Sequence, residues 1–329
     1  MTVLFICSGN SKDFGIAPFV LSQAKSIQEE GVEILFYKVI GKGIRGYLKN
    51  VRKLRAFLRE HKIDVIHAHY SFNGLLALLA MAKPPVVVSF MGSDTYGDYD
   101  TKGRLKRGSY INIFISKAIQ PFINAAIVKS PNLANYIYTK NKLSTIPNGV
   151  NINIFKPIDQ SVAKEKLGLH KDINYVLFLG EKGNERKNFE LSANAVSKVN
   201  EVSKSKILLL TPYPASQELL PYYMCAANVV LLSSYNEGSP NVIKEAMACN
   251  RPIVSTNVGD VEWLFGNEPG HYIANFEVDD YANKLKQAVD FSNNDESTNG
   301  RERIKQLGLD SQTIAQRIIA IYKKVLNEK

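Results

Sequence analysis

Short apolar runs alternate with longer stretches of helix-forming composition along most of the chain. The apolar runs of the first half lie at residues 3–7, 33–39, 65–69, 86–90, 125–129 and 144–146. Helices are predicted between them, at residues 18–30, 47–61, 74–81 and 131–138. Strands that alternate with helices are typical of a doubly wound parallel sheet, so the sequence predicts the α/β class.

The same alternation recurs in the second half of the chain. Strands are predicted at residues 175–179, 206–210, 229–232 and 253–255, with helices at 189–201, 219–226 and 242–248. Between the halves, Pro147, Asn148, Gly149 and Pro157 mark a linker. Because 329 residues exceed the ~150 of one typical domain, we predict two domains, 1–157 and 158–310.

Two glutamates separated by seven residues, Glu237 and Glu245, flank a Gly-Ser-Pro-Asn turn. The apolar run 227–232 precedes them and the helical stretch 242–248 follows, which predicts Glu237 in a loop and Glu245 inside a helix. A helix that begins beside a Gly-containing loop presents backbone N–H groups and the positive end of its dipole, which suits a diphosphate. A carboxylate two turns along can accept hydrogen bonds from sugar or ribose hydroxyls. The spacing therefore predicts a nucleotide-sugar site.

Residues 233–262 resemble the donor-site signature of the GT-B glycosyltransferases of family 4, retaining enzymes that use nucleotide-diphosphate sugars. The family pattern is roughly Ser-x-x-x-Glu-Gly-x-Pro-x-x-x-x-Glu-Ala-Met-Ala-x-Gly-x-Pro-Val-Val-x-Thr-x-x-Gly-Gly-x-x-Glu. This chain has Asn250 and Asp260 where the family usually has Gly. The resemblance implies two Rossmann-like domains facing a cleft, with a C-terminal helix of about 311–329 packed back on the first domain.

The resemblance also implies roles for individual residues. Glu237 would hold hydroxyls of the transferred sugar, while Arg186 and Lys187 would neutralise the donor's diphosphate; these three are the catalytic candidates. Fixed cations stabilise the charge that builds on a departing nucleotide. The predicted donor-binding residues are Gly238, Ser239, Pro240, Asn241, Val242 and Glu245, with Glu245 on the ribose.

Gly15, His69 and Asp94 are the acceptor-side or cleft candidates of the first domain. Gly15 resembles a family glycine that lets the backbone approach the donor phosphate and the acceptor. Asp94 keeps the place of the last residue in the family's His-Gly-x-Asp segment, whereas Met91 stands in place of the His. A turn or N-cap role for Asp94 stays open beside a hydrogen bond to an acceptor. His67 and His69 would face the same way from one strand, so a metal pair is an alternative, although we expect no metal.

Positive charge is concentrated in the first half of the chain. Residues 1–157 contain 21 Lys and Arg against 9 Asp and Glu, a net of +12, whereas residues 158–329 have a net of −2. Much of the excess follows the helical stretch 47–61, where apolar residues recur at near-helical spacing. Such a helix is able to lie on an anionic membrane surface, while its apolar stripe also fits a place in the core.

The glycines at 41–46 match the Gly-x-Gly-x-x-Gly pattern of dinucleotide-binding sites. They follow the second strand, whereas that pattern follows the first strand of a dinucleotide-binding domain, so the match does not favour a dinucleotide site.

The sequence favours a retaining glycosyltransferase that moves a hexosyl or N-acetylhexosaminyl group from a UDP- or GDP-sugar to a glycan or lipid-linked acceptor. We expect a role in cell-surface polysaccharide biosynthesis, without cofactor or nucleic acid. A nucleotide-sugar epimerase of the same fold is the second interpretation, and a basic nucleic-acid-binding protein is the third. No apolar run approaches the ~20 residues of a spanning helix, and no basic leader opens the sequence. We therefore expect a cytoplasmic protein, peripheral at the inner face of the cell membrane.

Overall fold

The chain folds into two compact units, each built around its own parallel sheet. Unit 1 comprises Met1–Gly149 and Ser311–Lys329, and unit 2 comprises Val150–Asp310. The division falls before the predicted boundary at residue 157, so residues 150–157 belong to unit 2. The computed structural model describes residues 1–10, 14–41, 43–99, 104–203, 206–294 and 297–328.

The sheet of unit 1 has the strand order β2-β1-β3-β4-β5-β6, and all of these pairs are parallel. Its strands are β1 (Thr2–Ser8), β2 (Glu33–Val39), β3 (Val65–His69), β4 (Val86–Phe90), β5 (Ala125–Val128) and β6 (Leu143–Thr145). The order reverses at β1, because β2 lies on one side of it and β3 on the other. Connections leave the carboxyl ends of β1 and β3 in opposite directions, which opens a crevice where ligands bind in such sheets.

The helices that connect these strands are α1 (Pro18–Glu29), α2 (Gly43–Glu60), α3 (Ser71–Leu79), α4 (Ser109–Ile119) and α5 (Pro131–Ala134). The apolar stripe of α2 belongs to the core: Leu54 is fully buried, and Val51 and Phe57 pack against the same cluster. Over residues 49–60, helix α2 therefore presents mainly charged side chains to solvent. Helix α4 was not predicted, and α5 is shorter than the predicted helix at 131–138.

The sheet of unit 2 has the order β11-β10-β9-β7-β8 and is also parallel. Its elements are α6 (Gln160–Lys166), β7 (Asn174–Phe178), α7 (Phe189–Val202), β8 (Ile207–Leu210), α8 (Leu220–Ala226), β9 (Val229–Leu232), α9 (Asn241–Ala248), β10 (Ile253–Thr256), α10 (Val261–Phe265), β11 (His271–Ala274), α11 (Val278–Asn293) and α12 (Gly300–Gln306). Here the order reverses at β7, which lies between β8 and β9. The loops after β7 and β9 therefore border the crevice of this sheet.

The last helix, α13 (Ser311–Asn327), belongs to unit 1 and packs against α1. The buried Tyr322 hydroxyl lies 2.6 Å from Nδ1 of His67 on β3, and two glutamines of α13 donate to the carboxylate of Glu30. A bilayer-spanning helix would have to be longer and more apolar than any in the part of the chain that the structure describes.

Candidate functional site

The loops after β7 and β9 are joined at the carboxyl edge of the unit 2 sheet. The loop after β7 ends in a 3-10 turn, Glu185–Lys187. The Ser233 hydroxyl, directly after β9, lies 3.1 Å from the carbonyl oxygen of Lys187 and 2.8 Å from that of Asn188. These contacts hold the two loops in register, so the side chains of the 3-10 turn come close to Glu237 in the second loop.

Glu237, Arg186 and Lys187 form an ion triad at this point. One Glu237 carboxylate oxygen lies 2.7 Å from Nη1 of Arg186, and the other lies 2.7 Å from Nζ of Lys187. The hydroxyl of Ser234 donates to the same carboxylate at 2.9 Å. Burial alone would raise the pKa of Glu237, but the charges of Lys187 and Arg186 outweigh it and hold that pKa below its ordinary value. Two cations and one carboxylate leave one positive charge in excess, which suits an anionic ligand.

Helix α9 begins directly after this triad. Its N-cap residue is Pro240, and no side chain among the described residues caps the helix there. The backbone N–H groups of the first turn therefore point toward the loop that carries Glu237 and Gly238. Gly259 packs against this loop: a Cβ at Gly259 would lie 2.4 Å from the Gly238 carbonyl oxygen, and its φ of +62° is one that side chains disfavour. Close backbone packing thus fixes the turn that precedes the helix.

Glu245 lies on α9, as predicted, and Val242 lies in the first turn of the same helix. Burial raises the pKa of Glu245 to about 7, although the charges of Lys244 and Lys187 oppose the rise. The structure gives the Glu245 carboxylate no side-chain hydrogen-bond partner within the described ranges. A ligand hydroxyl that donated to it would satisfy an acceptor that the fold leaves open.

Sequence reasoning missed two buried residues of opposite charge, Lys244 and Asp260, near the Gly-Ser-Pro-Asn turn. Lys244 is fully buried on α9, and its Nζ lies 3.1 Å from the Ser239 hydroxyl oxygen. Burial lowers the pKa of Lys244 to about 8, while the charge of Asp260 opposes the shift; Asp260 itself has a raised pKa because it is buried. Both residues could have been noticed in the sequence. Lys244 lies within an otherwise apolar helical stretch, and Asp260 is an acid at a position where the family usually has Gly.

Asn250, the other departure from the family pattern, occupies a position that requires a left-handed backbone. Its φ is +53°, and it follows the C-cap residue Cys249 of α9. Asparagine tolerates this conformation better than most residues. Its side chain also accepts a hydrogen bond from the Arg301 N–H at 2.9 Å, so the asparagine fills the role of the glycine and adds a link to α12.

The crevice of unit 1 holds a cavity of about 350 Å³ at the carboxyl ends of β1 and β3. It is lined by Cys7, Ser8, Ala17, Phe19, Val20, Tyr47, His69, Tyr70, Asn73 and Met91. His69 is 4% exposed and both of its ring nitrogens lack a hydrogen-bond partner in the described structure. Burial and then the charge of Lys129 lower the pKa of His69 to about 3, so the imidazole is neutral. Burial also keeps the thiol and phenol of the lining protonated, raising the pKa of Cys7 to about 11 and that of Tyr70 to about 12.

Asp94 takes the turn role that the sequence left open. It is fully buried, and its carboxylate accepts backbone N–H groups from Ser71 at 2.8 Å, Met91 at 2.9 Å and Gly92 at 3.0 Å. Burial nevertheless raises its pKa to about 6 against these hydrogen bonds. Because Ser71 begins α3, Asp94 ties the loop after β4 to that helix. It is not among the described residues that line the cavity.

The other acceptor-side candidates have different surroundings. Gly15 has a φ of +66°, and a Cβ there would meet nothing within 4 Å, so conformation rather than space calls for glycine. Residues 11–13 of the same loop lie outside the described residues. His67 and His69 stack with ring centroids 4.4 Å apart, as their spacing predicts. Within the described ranges they are not part of a group of three or more His, Cys, Asp or Glu residues that could hold a metal ion.

Matches to two family models assign the chain to a family. Residues 3–154 match the family described as Glycosyltransferase Family 4, and residues 208–290 match Glycosyl transferases group 1. The chain is a member of the GT-B glycosyltransferases of family 4. Within this family 4 chain, the first match covers the unit 1 sheet and the second covers the loop of Glu237 and the helix of Glu245.

Known proteins resemble the family 4 chain in sequence and in fold. The UDP-Gal:alpha-D-GlcNAc-diphosphoundecaprenol alpha-1,3-galactosyltransferase of Escherichia coli is 24% identical over 74% of this chain and 70% of its own length. The sucrose-phosphate synthase of Thermosynechococcus elongatus has the same fold, with a TM-score of 0.83 at 18% identity over 100% of both chains. Anabaena HepE in complex with UDP-glucose gives a TM-score of 0.69 at 16% identity over 98% of this chain and 100% of its own. Among the curated relatives, the chain spans 52–70% of the relative's length.

Proposed function

We propose that the chain transfers a sugar from a nucleotide-diphosphate sugar to a glycan or lipid-linked acceptor, with retention of anomeric configuration. The observation that carries the proposal is the ion triad of Arg186, Lys187 and Glu237 beside the N-terminus of α9. Family membership and the nucleotide-sugar complex of a similar fold support it. A role in polysaccharide biosynthesis fits the same proposal.

The two cations of the triad would bind the donor's diphosphate. Arg186 offers a planar fork and Lys187 a point charge, and both are held in place by Glu237 before the donor arrives. Charge that develops on the leaving nucleotide would then meet cations that need little reorganisation. These cations would supply the neutralisation for which other transferases use a divalent metal, so we propose that no metal or other cofactor is required.

Residues of the α9 segment would hold the rest of the donor. The N–H groups that follow Pro240, at the start of α9, would bind phosphate oxygens, and Gly238 and Ser239 would form the turn that leads into them. Glu245 would accept hydrogen bonds from the ribose hydroxyls. Glu237 keeps unused acceptor positions beside its cations for a hydroxyl of the transferred sugar.

The acceptor would bind to unit 1. In a retaining reaction without a protein nucleophile, the acceptor attacks the face from which the phosphate leaves, and that phosphate takes the acceptor's proton. The neutral surroundings of His69 then suit an uncharged hydroxyl group. The name of the Escherichia coli relative gives a lipid-linked acceptor for that protein, which supports the same class here.

We also propose that the protein works at the inner face of the cell membrane, in the cytoplasm. Its cysteines are all unpaired, which fits a reducing compartment. The cations along residues 47–61 would attract an anionic membrane surface, although the apolar stripe of that helix is buried in the core.

Thermal unfolding in the presence of UDP, GDP, ADP and their sugar conjugates tests the donor site. A ligand at a hundredfold excess over its Kd stabilises a protein by about 2.7 kcal/mol, so one nucleotide should raise the Tm clearly. Glu245→Ala should remove most of that shift, while the matched change Glu190→Ala on α7 should leave it unchanged. No response to any nucleotide would contradict the proposal. Conversion of a nucleotide sugar without any acceptor would favour an epimerase instead.

A further inference from the structure

Helix α4 turns a group of large apolar side chains to solvent. Tyr110, Ile111 and Phe114 are 64%, 44% and 70% exposed, and residues at these spacings share one side of a helix. An adjoining side of α4 faces the core through Ile115 and Ile119. Helix α4 therefore carries apolar side chains on its exposed side as well as on its buried side.

Two further aromatic side chains extend this surface. Phe122, in the 3-10 turn that follows α4, is 72% exposed, and Tyr138 is 56% exposed. The Tyr138 hydroxyl donates to the carbonyl of Lys117 on α4 at 3.1 Å, which places this tyrosine against the end of the helix. We call the surface formed by Tyr110, Ile111, Phe114, Phe122 and Tyr138 the aromatic face.

Within the segment that carries the aromatic face, the exposed charges are positive. From Arg104 to Lys142 the sequence has seven Lys and Arg residues, of which Lys129 is buried, and no Asp or Glu. Lys106 and Arg107 are exposed just before α4, and Lys117 is exposed on the helix itself. The Lys142 ammonium group donates to the carbonyls of Pro121 and Ile123 on either side of Phe122, at 3.0 and 2.8 Å. Exposed aromatic and aliphatic groups with cations beside them complement a surface that has an apolar interior and an anionic outer layer.

We propose that the aromatic face docks on an anionic lipid bilayer, with Phe114 and Phe122 inserted at the boundary between headgroups and acyl chains. Tyrosine suits the headgroup level because its ring is apolar and its hydroxyl is polar. The neighbouring cations attract anionic lipids and lie outside the apolar layer. Helix α2 can add attraction through its cations, but over residues 49–60 its large apolar side chains pack on the core.

Flotation of the full chain with lipid vesicles tests the proposal. The chain should float with vesicles of phosphatidylcholine and phosphatidylglycerol, and far less with phosphatidylcholine alone. Phe114→Ser with Phe122→Ser should lower the partition coefficient at least tenfold. Val202→Ser is the matched control, because Val202 is 74% exposed in unit 2, and it should change nothing. Equal binding by the double variant and the control would overturn the proposal.

The contribution of the cations is tested separately. Removing the charge at Arg107 with Arg107→Ser should lower the partition coefficient about fivefold, since each cation near an anionic surface is worth about 1 kcal/mol. Added salt should weaken binding of the unaltered chain in the same sense. Binding that requires RNA and ignores vesicles would identify a nucleic-acid surface and overturn the proposal.

Insertion into the bilayer can be measured separately by tryptophan fluorescence. The chain contains one tryptophan, Trp263 in unit 2, so replacing it leaves a background without tryptophan. In a Trp263→Phe background, Phe114→Trp should be quenched by brominated lipids, whereas Val202→Trp should not be. Vesicle binding without quenching at position 114 would mean adsorption by charge alone, and the proposed insertion would be wrong. The assay contains no nucleotide sugar, so its outcome is independent of the proposed transferase function.

Discussion

The two sheets of this protein have the same kind of crevice but opposite chemistry within it. In unit 2 the loops at the strand-order reversal bring together Arg186, Lys187 and Glu237, which carry full charges. In unit 1 the equivalent place is a cavity lined by neutral groups, among them a buried His69 that remains uncharged. Topology decides where a ligand can bind, while the side chains decide whether the ligand is an anion or a neutral hydroxyl compound.

The same contrast gives the two crevices opposite responses to pH. Glu245 has a pKa raised from 4.5 to about 7, so the folded chain binds more protons than the unfolded chain between those values. Its contribution to stability therefore falls as the pH rises through that window. His69 has a pKa lowered from 6.5 to about 3, so the unfolded chain binds more protons in that range. Its contribution to stability is lost as the pH falls below about 6.5.

The largest expected effect lies in the triad. Lys187→Met should lower kcat by about 100- to 1000-fold, or about 3–4 kcal/mol, because a fixed cation at the departing phosphate is lost. Steady-state kinetics with the nucleotide sugar identified by thermal shift would measure this. Lys182→Met removes an exposed cation from the same loop and is the matched control, with kcat expected to stay within about twofold. Equal losses in both variants would show that the loop, rather than the triad, matters.

The next effect is on folding stability. Lys244→Met should destabilise unit 2 by about 3 kcal/mol, because Asp260 is left buried without its cation. Adding Asp260→Asn should restore much of the loss, since no buried charge then remains. Urea unfolding of the two variants and the unaltered chain measures both steps. A double variant no more stable than Lys244→Met would show that the two residues are not coupled.

Glu245→Gln sharpens the comparison through its pH dependence. In the unaltered chain, nucleotide affinity should rise as the pH increases through about 7, because the ionised carboxylate is the better acceptor for ribose hydroxyls. The variant should bind about tenfold more weakly above that pH, a loss of about 1.5 kcal/mol, and should show no rise. Calorimetric titration at several pH values measures both quantities. If the nucleotide affinity of the variant depended on pH in the same way, a group other than Glu245 would cause the pH dependence.

The sequence predicted the buried parallel strands well because their apolar runs are short and sharply bounded. Strands β2, β3, β4 and β9 have the predicted limits, and α9 begins within one residue of the prediction. Helix α4 was missed for a physical reason, since its apolar residues lie on its exposed side as well as on its buried side and do not form one narrow stripe. Helix α11 was also missed, although its apolar stripe packs on the unit 2 core.

The candidate site was predicted in part. The motif proposed Glu237 and Glu245, and the separate segment 180–188 proposed the two cations, but neither anticipated that Glu237 pairs with Arg186 and Lys187. That pairing depends on loops fifty residues apart meeting at a strand-order reversal, and strand order is set by packing rather than by local pattern. Lys244 and Asp260 were missed for a different reason, because their two local signals in the sequence were not considered together.

The smallest effect distinguishes the neutral crevice from the charged one. His69→Leu keeps the cavity filled but removes a polar group that a hydroxyl could use, so the acceptor KM should rise about two- to tenfold, or about 0.5–1.5 kcal/mol. Nucleotide affinity should stay unchanged, because every residue of the triad lies in the other unit. His271→Leu is the matched control, since it removes a histidine of unit 2 whose ring nitrogens are also buried and without described partners. A change in nucleotide affinity with His69→Leu, or an equal change in acceptor KM with His271→Leu, would remove the distinction between a donor crevice and an acceptor crevice.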